Sequence, residues 1–127
     1  MPLEQHEPRE VLPAEVTEQH RAIASMIEEF EAVAWYHQRA AATADEQLRK
    51  VVEHNRDEEI EHAMMLLEWL RRNFPGFDEN MRTYLFTSAP IEQVEELAEQ
   101  GDGGEGEGSP PSDGSLRIGS LKKQEGA

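Results

Sequence analysis

A glutamate and a histidine, Glu59 and His62, lie three residues apart in a segment whose apolar residues recur at helical spacing. Residues three or four apart share one face of an α-helix. The same face carries Leu48, Val52, Asn55, Ala63, Leu66 and Leu70. A buried, unpaired carboxylate is costly, so it needs a proton, a counter-charge or a metal ion. A carboxylate and an imidazole one turn apart can be two ligands of one metal.

A third candidate ligand, Glu29, lies at the edge of an earlier apolar face that includes Met26, Val33 and Tyr36. In di-iron carboxylate bundles, two helices each supply a Glu and two each supply a Glu-x-x-His. The chain offers one helix of each kind, which is half of such a site. A twofold-symmetric dimer would supply the other half. We therefore predict a metal centre that is completed by dimerisation.

Carboxylate oxygens with some imidazole nitrogen suit iron or manganese and could also hold zinc. Bridging carboxylates can hold two metals close together, and two ferrous ions can pass electrons together to oxygen or peroxide. The simplest such reaction is oxidation of Fe(II) to Fe(III). Three functions stay open at this point: a ferroxidase, a helical adaptor with a structural metal, and a di-metal enzyme of peroxidase type. A Glu-x-x-His step also occurs by chance. The prediction of a metal site therefore depends on the central position of this step on the apolar face.

Two further polar sets each share a helix face and are less specific. They are Glu28, Glu31 and Trp35 in the first helix, and His54, Glu58 and Glu61 in the second. Either set could form a weak cation site, but spacing alone favours an ordinary solvated surface. Trp69 and the Met64–Met65 pair are predicted to be packing residues.

Two long helices must position these residues. The first begins near Pro13 or Thr17 and ends near His37 or Arg39, with a break over residues 40–45. The second follows a cap at Thr43 or Asp45 and ends near Asn73, before a Phe-Pro-Gly stop. Shorter helices are expected over residues 78–86 and 91–100. The predicted fold is all-α: an antiparallel two-helix hairpin with a short C-terminal helix, which spans residues 13–100 and follows an irregular leader over residues 1–12.

The composition limits the classes of partner that we expect for this chain. The formal net charge is -15, with 27 acidic and 12 basic residues, so no nucleic acid or anionic membrane is expected as a partner and cations are favoured. Cysteine is absent, which removes disulfides, thiolate zinc sites and iron–sulfur clusters. The leader lacks the apolar core of a secretory signal. Because a hairpin of this size leaves one apolar side open, we expect an obligate oligomer.

The C-terminal part changes character. Residues 101–115 contain six glycines, two prolines and four acids, which predicts a disordered acidic linker with an r.m.s. span of roughly 20 Å. Residues 116–127 then regain apolar side chains at Leu116, Ile118 and Leu121. Three apolar side chains on a flexible tether are typical of a docking peptide.

The chain resembles the encapsulated ferritins, a ferritin-like group packaged inside encapsulin nanocompartments. The resemblance is carried, in order, by residues 26–36, 54–72, 81–87 and 113–122. It implies ferroxidase ligands at Glu29, Glu59 and His62, shared between two chains, with Tyr36 beside them. It also implies a route of metal entry at Glu28 and Glu31 with Trp35 adjacent, and a peripheral metal site at His54, Glu58 and Glu61.

The resemblance further implies a ferritin-like four-helix bundle made by a dimer, and a decameric ring that oxidises iron but does not store it alone. The encapsulin shell would hold the mineral and bind the segment around Leu116, Ile118 and Leu121, in the cytoplasm. Family members commonly carry an acidic residue before the Trp-Tyr pair, where this chain has Ala34. That difference is expected to weaken the route of metal entry.

Overall fold

The computed structural model describes residues 4–102, with side chains to residue 100. The predicted docking residues Leu116, Ile118 and Leu121, and nearly all of the predicted linker, lie outside that range. The described residues form a short 3-10 turn, Arg9–Val11, and four α-helices. The helices are α1 (Ala14–Ala42), α2 (Glu46–Asn73), α3 (Phe77–Tyr84) and α4 (Ile91–Asp102). Residues 4–102 contain no β-strand, so the predicted all-α class is confirmed.

The beginning of α1 follows from Pro13. The carbonyl of Pro13 accepts from the backbone N–H groups of Val16 and Thr17, at 3.1 and 3.3 Å. Its extended backbone (φ -61°, ψ 150°) makes it the residue before the helix, and its missing N–H costs nothing where a helix has no partner for one. Pro13, and not Thr17, therefore sets the start of α1.

The end of α1 corrects the prediction. The helix continues through Ala42, whereas the sequence pattern suggested a break from Ala40 onwards. Alanine has the highest helix propensity, so a run of three alanines extends the helix. Arg49 of α2 also donates to the Ala40 carbonyl at 2.6 Å and to the Thr43 carbonyl at 2.9 Å. These bonds satisfy carbonyls that the end of a helix leaves without partners.

The predicted cap of α2 is confirmed at Asp45. Its carboxylate accepts from the backbone N–H of Leu48 at 3.0 Å, and Thr43 Oγ1 accepts from the Asp45 N–H at 3.1 Å. Because three residues, 43–45, separate α1 from α2, the chain must reverse sharply there. The two long helices therefore run antiparallel.

Cross-helix hydrogen bonds mark the pairing of α1 with α2. Gln19, near the start of α1, donates to the carbonyl of Asn73, the last residue of α2, at 2.7 Å. Nearer the loop, Arg56 Nη1 donates to His37 Nδ1 over 3.2 Å. Residues near the loop thus pair with each other, and residues far from the loop do the same, as an antiparallel hairpin requires.

The packed layer of the hairpin is thin. Its buried side chains are Ala22, Ala40, Val52, Ala63 and Leu70. Many larger apolar side chains stay at least one-third exposed, among them Phe30, Trp35, Leu48, Val51, Met64, Met65 and Trp69. Leu48 is 50% exposed, although the sequence pattern placed it on the buried face. One chain alone therefore covers only part of its apolar surface, in line with the expected oligomer.

A charged network holds the end of α2 to the first turn of α3. Arg71 donates to Glu68 and to Asp78, at 2.8 and 2.6 Å, and Arg72 donates to Glu68 at 2.7 Å. The two guanidinium groups lower the pKa of Glu68 to about 2. Between the helices, Gly76 has a φ of 103°, which favours glycine because it has no Cβ.

The described residues divide into two compact units after Met81. In the second unit, Thr87 Oγ1 donates to the Tyr84 carbonyl at 3.0 Å, and Phe86 is fully exposed with a φ of 62°. Val94 is buried, whereas Ile91 remains 77% exposed. Within residues 4–102, no helix combines the length and apolarity that crossing a membrane requires.

Candidate metal centre

The structure brings together the three ligands that the sequence predicted, Glu29, Glu59 and His62. Each offers one ligand atom, and these atoms all lie within 4.8 Å of one another. His62 Nδ1 is 3.2 Å from Glu59 Oε1 and 3.9 Å from Glu29 Oε1. Among residues 4–102, no other three histidines or acids converge in this way. The three side chains belong to one chain and come from both long helices.

The hairpin explains this convergence. Glu59 and His62 are one turn apart on α2, so they project from the same face. Ala44 lies in the middle of the loop, and Glu29 precedes it by as many residues as Glu59 follows it, because 44 − 29 and 59 − 44 both equal 15. In an antiparallel pair of helices with nearly equal rise, two such residues face each other. The loop length and the Asp45 cap thereby place Glu29 opposite the Glu-x-x-His step.

The pKa values of the two carboxylates are shifted in opposite directions. A hydrogen bond to Glu59 raises the pKa of Glu29, and partial burial and the charge of Glu59 add to this effect. The pKa of Glu59 is lowered, first by the hydrogen bond from Glu29 and then by the one from His62. The hydrogen bond to Glu59 also raises the pKa of His62. A bound cation could take the place of these protons, because metal ligands bind in their deprotonated form.

The site is open on one side. The side chains of Glu29 and Glu59 are 26% and 24% exposed, and that of His62 is 46% exposed. Within one chain the step is only partly covered, because no second layer of the described residues packs over this part of the hairpin. Two carboxylates and one imidazole fit iron, manganese or zinc by donor type, but three ligands leave coordination positions free. The site can hold a metal and still accept further ligands.

Tyr36 lies on α1, seven residues after Glu29, and is half-buried. The guanidinium carbon of Arg39 lies 5.7 Å from the centre of its ring, a cation–π contact that restrains the tyrosine. The spacing of about two helical turns puts Tyr36 on the same side of α1 as Glu29.

The first secondary set stays on the surface of α1. Glu28 is exposed, Glu31 is half-buried, and the Trp35 side chain is 53% exposed. These acids do not belong to a group of three metal-binding side chains within the described part of the chain. The structure thus shows the predicted route of metal entry as a partly exposed strip of α1.

The second secondary set is partly assembled. His54 Nε2 lies 3.1 Å from Glu58 Oε2, one turn along α2, and both side chains are more than half exposed. Glu61 is exposed on the same helix, but it does not join the pair in a three-ligand group within residues 4–102. The structure therefore brings together two of the three predicted peripheral ligands.

Sequence reasoning missed Gln19 and Arg49, which link the two helices. The bond of Arg49 could have been suspected from the sequence, because the macrodipole disfavours a cation in the first turn of a helix. An arginine at that position needs a partner elsewhere. Gln19 gave no such indication, since a polar residue on a helix surface is ordinary. Its partner, the carbonyl of Asn73, is 54 positions away along the chain.

Fold and site together describe a helical-hairpin protein with a candidate metal centre of two carboxylates and one imidazole. A family model described as EncFtn-like matches residues 4–88, about two-thirds of the chain, and the chain belongs to that family. The family match covers the two long helices, α3, and all three candidate ligands. It ends before α4.

Two curated relatives agree with this assignment. An "Encapsulated ferritin-like protein" of Rhodospirillum rubrum is 52% identical over 121 residues, which cover 92% of this chain and 86% of the relative. A "Ferritin-like protein" of Thermotoga maritima is 62% identical over 91 residues, covering 72% of this chain and 80% of the relative. A crystal structure of a protein from Nitrosomonas europaea matches with a TM-score of 0.66 and 52% identity, over 68% of this chain and 96% of that one.

Proposed function

We propose that this protein has a ferritin-like function in iron handling and, more specifically, that it is a ferroxidase. It oxidises Fe(II) to Fe(III) with oxygen at a di-iron centre across the interface of a dimer. The observation that carries this proposal is the convergence of Glu29, Glu59 and His62 on an open face of the hairpin. The name of the Rhodospirillum rubrum relative, an encapsulated ferritin-like protein, supports the choice of iron.

The dimer follows from the ligand count. One chain offers two carboxylates and one imidazole, and a second copy doubles this to four carboxylates and two imidazoles. Two metal ions then have the donor set of a di-iron carboxylate site. The same second copy would cover the exposed apolar side chains of the hairpin. A twofold-symmetric four-helix bundle would therefore supply both the additional ligands and the additional apolar contacts.

The chemistry assigns a role to each ligand. Glu29, Glu59 and His62 bind the substrate, Fe(II), in their deprotonated forms, so protons on these ligands leave when the cation binds. Two Fe(II) ions then give up one electron each, and one oxygen molecule accepts the electron pair with two protons. Tyr36 is assigned a place beside the site, where Arg39 restrains its ring.

Replacing a ligand tests the proposal directly. Glu59→Ala or His62→Ala should lower the initial rate of aerobic Fe(II) oxidation by about 100-fold or more, because even residues that only support metal ligands often contribute 10- to 100-fold. Glu53→Ala, in the same helix, is the matched control and should keep the native rate. Native rates in both ligand variants would refute the proposal. Metal-dependent stabilisation without oxidation of iron would instead identify a structural metal.

We also propose that the protein works in the cytoplasm as cargo of an encapsulin nanocompartment, assembled as a decameric ring. The name of the Rhodospirillum rubrum relative, an encapsulated ferritin-like protein, supports encapsulation. The docking residues would be Leu116, Ile118 and Leu121. Deleting the residues after Pro111 should leave iron oxidation intact and abolish co-purification with the shell. A truncated protein that still enters the shell would contradict this docking role.

The two secondary sets are proposed as weaker cation sites, open to divalent cations other than iron. Glu28 and Glu31, beside Trp35, would attract metal towards the centre. His54 and Glu58 form a pair to which Glu61 could contribute a further oxygen. A twofold or ring assembly would multiply each set, which raises the local density of negative charge.

A further inference from the structure

Each long helix is capped at its C-terminal end by a side chain of the other. Arg49 of α2 donates to the carbonyls of Ala40 and Thr43 at the end of α1. Gln19 of α1 donates to the carbonyl of Asn73 at the end of α2, at 2.7 Å. The last carbonyls of a helix have no partner within it. The two caps therefore join the helices at both ends of the hairpin.

The metal centre lies between these two caps. On α1, Glu29 follows Gln19 by ten residues and precedes Ala40 by eleven. At a rise of about 1.5 Å per residue, each cap is about 15 Å from the ligand along the helix axis. Any axial shift of α1 against α2 would move Glu29 relative to Glu59 and His62, because these ligands belong to different helices.

Apolar packing alone gives this hairpin little resistance to such a shift. Three of its five buried side chains are alanines: Ala22, Ala40 and Ala63. Packed helices resist sliding when large side chains of one helix fit into grooves of the other. The alanine side chain is too small to form such a ridge. Leu70 is the only large side chain that is fully buried within the described residues. Directional hydrogen bonds at the two ends can supply what the packing lacks.

We propose that Gln19, together with Arg49 at the other end, is a positioning residue for the metal centre. The loop and the Asp45 cap decide which residues of α1 and α2 face each other, and the two reciprocal caps hold that axial register at both ends of the hairpin. They thereby hold the distance between Glu29 and the Glu59–His62 step. This inference rests on the proposed function for its effect on iron oxidation, but the register itself does not depend on a bound metal. Metal ligands tolerate errors of only about 0.2 Å, so a small shift is enough to change the site.

Gln19 is the better residue to test, because it lies in a long helix that should fold without it. Gln19→Met keeps the size of the side chain and removes the donor. Gln19→Lys restores a donor that can reach the Asn73 carbonyl. Gln38→Met, at an exposed position of the same helix, is the matched control. A residue that only stabilises the fold and one that sets the register give different results in this series.

The first measurement uses crystals of the metal-free protein. Gln19→Met should show a changed or heterogeneous separation between the Glu29 carboxylate and His62, whereas Gln19→Lys and Gln38→Met should keep the native separation. The second measurement uses Co(II) as probe. The visible absorption bands of bound Co(II) should change in Gln19→Met at temperatures well below its Tm, and kcat for Fe(II) oxidation should fall by about tenfold or more.

Native ligand separations together with a native Co(II) spectrum in Gln19→Met would overturn the inference, even if the Tm falls. Loss of the native spectrum in Gln19→Lys would also count against it, because that variant keeps the donor. If the native protein neither binds Co(II) nor oxidises iron, the proposed function fails. In that case the metal-free structures still show whether Gln19 affects the axial register of the two helices.

Discussion

At the scale of single residues, the candidate metal centre is defined by the pKa values of its ligands as well as by their positions. Glu29 and His62 both have raised pKa values because both are hydrogen-bonded to Glu59, whose own pKa is lowered. Protonation is therefore less favourable at Glu59 than at an ordinary glutamate. At Glu29 and His62 it is more favourable than usual, so their protons compete most with a bound cation.

The sign of the pH dependence follows. A metal needs deprotonated ligands, so protons compete with it at any pH below the raised pKa values of Glu29 and His62. Affinity for Co(II) should rise as the pH rises through these values and level off above them. Co(II) binding should also release protons, which calorimetry in buffers of different ionisation enthalpy can measure.

The Glu53→Gln variant, which changes an acid outside the site, should keep this pH dependence. The Glu59→Gln variant should weaken it, because the negative charge that favours protonation of Glu29 and His62 is gone. A Co(II) affinity that is constant between about pH 5 and about pH 8 would contradict the proton arrangement.

At the scale of helices, the loop and its cap decide which residues face each other. Asp45 accepts a hydrogen bond from the Leu48 N–H and so begins α2 at a fixed residue. Asp45→Ala should lower the free energy of unfolding by about 1 kcal/mol, measured by urea denaturation at one fixed protein concentration. Asp45→Asn retains an oxygen acceptor and should be nearly neutral. Equal losses in the two variants would show that the cap does not act through its acceptor.

Much of this arrangement could be predicted from the sequence. The 3.6-residue period of apolar residues gave the two long helices, and Asp45 and the Phe-Pro-Gly stop gave two of their ends. Glu59 and His62 share a face by spacing alone. The sequence also predicted Glu29 as the third ligand, but only the structure shows that it faces the other two within one chain.

Other features could not be predicted, for physical reasons. The end of α1 was placed too early because the run Ala40–Ala42 resembles a break, although alanine favours helix and Arg49 satisfies the Ala40 carbonyl. The cap by Gln19 depends on a contact between residues 54 positions apart, which no local pattern encodes. The exposure of His62 depends on what covers the hairpin, which is a property of an assembly and not of one helix.

At the scale of the whole molecule, two properties affect assembly: the buried apolar layer is thin, and the net charge is high. Few large side chains are buried among the described residues, while the charge of -15 per chain opposes the approach of a second copy. If assembly supplies the missing packing, unfolding is coupled to dissociation. The apparent stability of the fold then depends on the protein concentration.

The Tm should therefore rise with protein concentration, which scanning calorimetry can measure. A hundredfold increase in concentration should add about 2.7 kcal/mol per mole of dimer to the apparent stability. Added salt should raise the Tm further by screening the acidic surface. A Tm that stays constant over this range of concentration would indicate a chain that folds without a partner.

The turn between α2 and α3 offers a separate, quantitative consequence. At Gly76, where φ is 103°, a Cβ would meet no atom within 4 Å. A substitution here consequently changes the backbone energy and no packing. Gly76→Ala should cost about 1–3 kcal/mol, whereas a D-alanine placed there by chemical synthesis should fit its φ angle without strain. The difference between these two mirror-image residues would measure, in isolation, the free energy by which chirality restricts one dihedral angle of this chain.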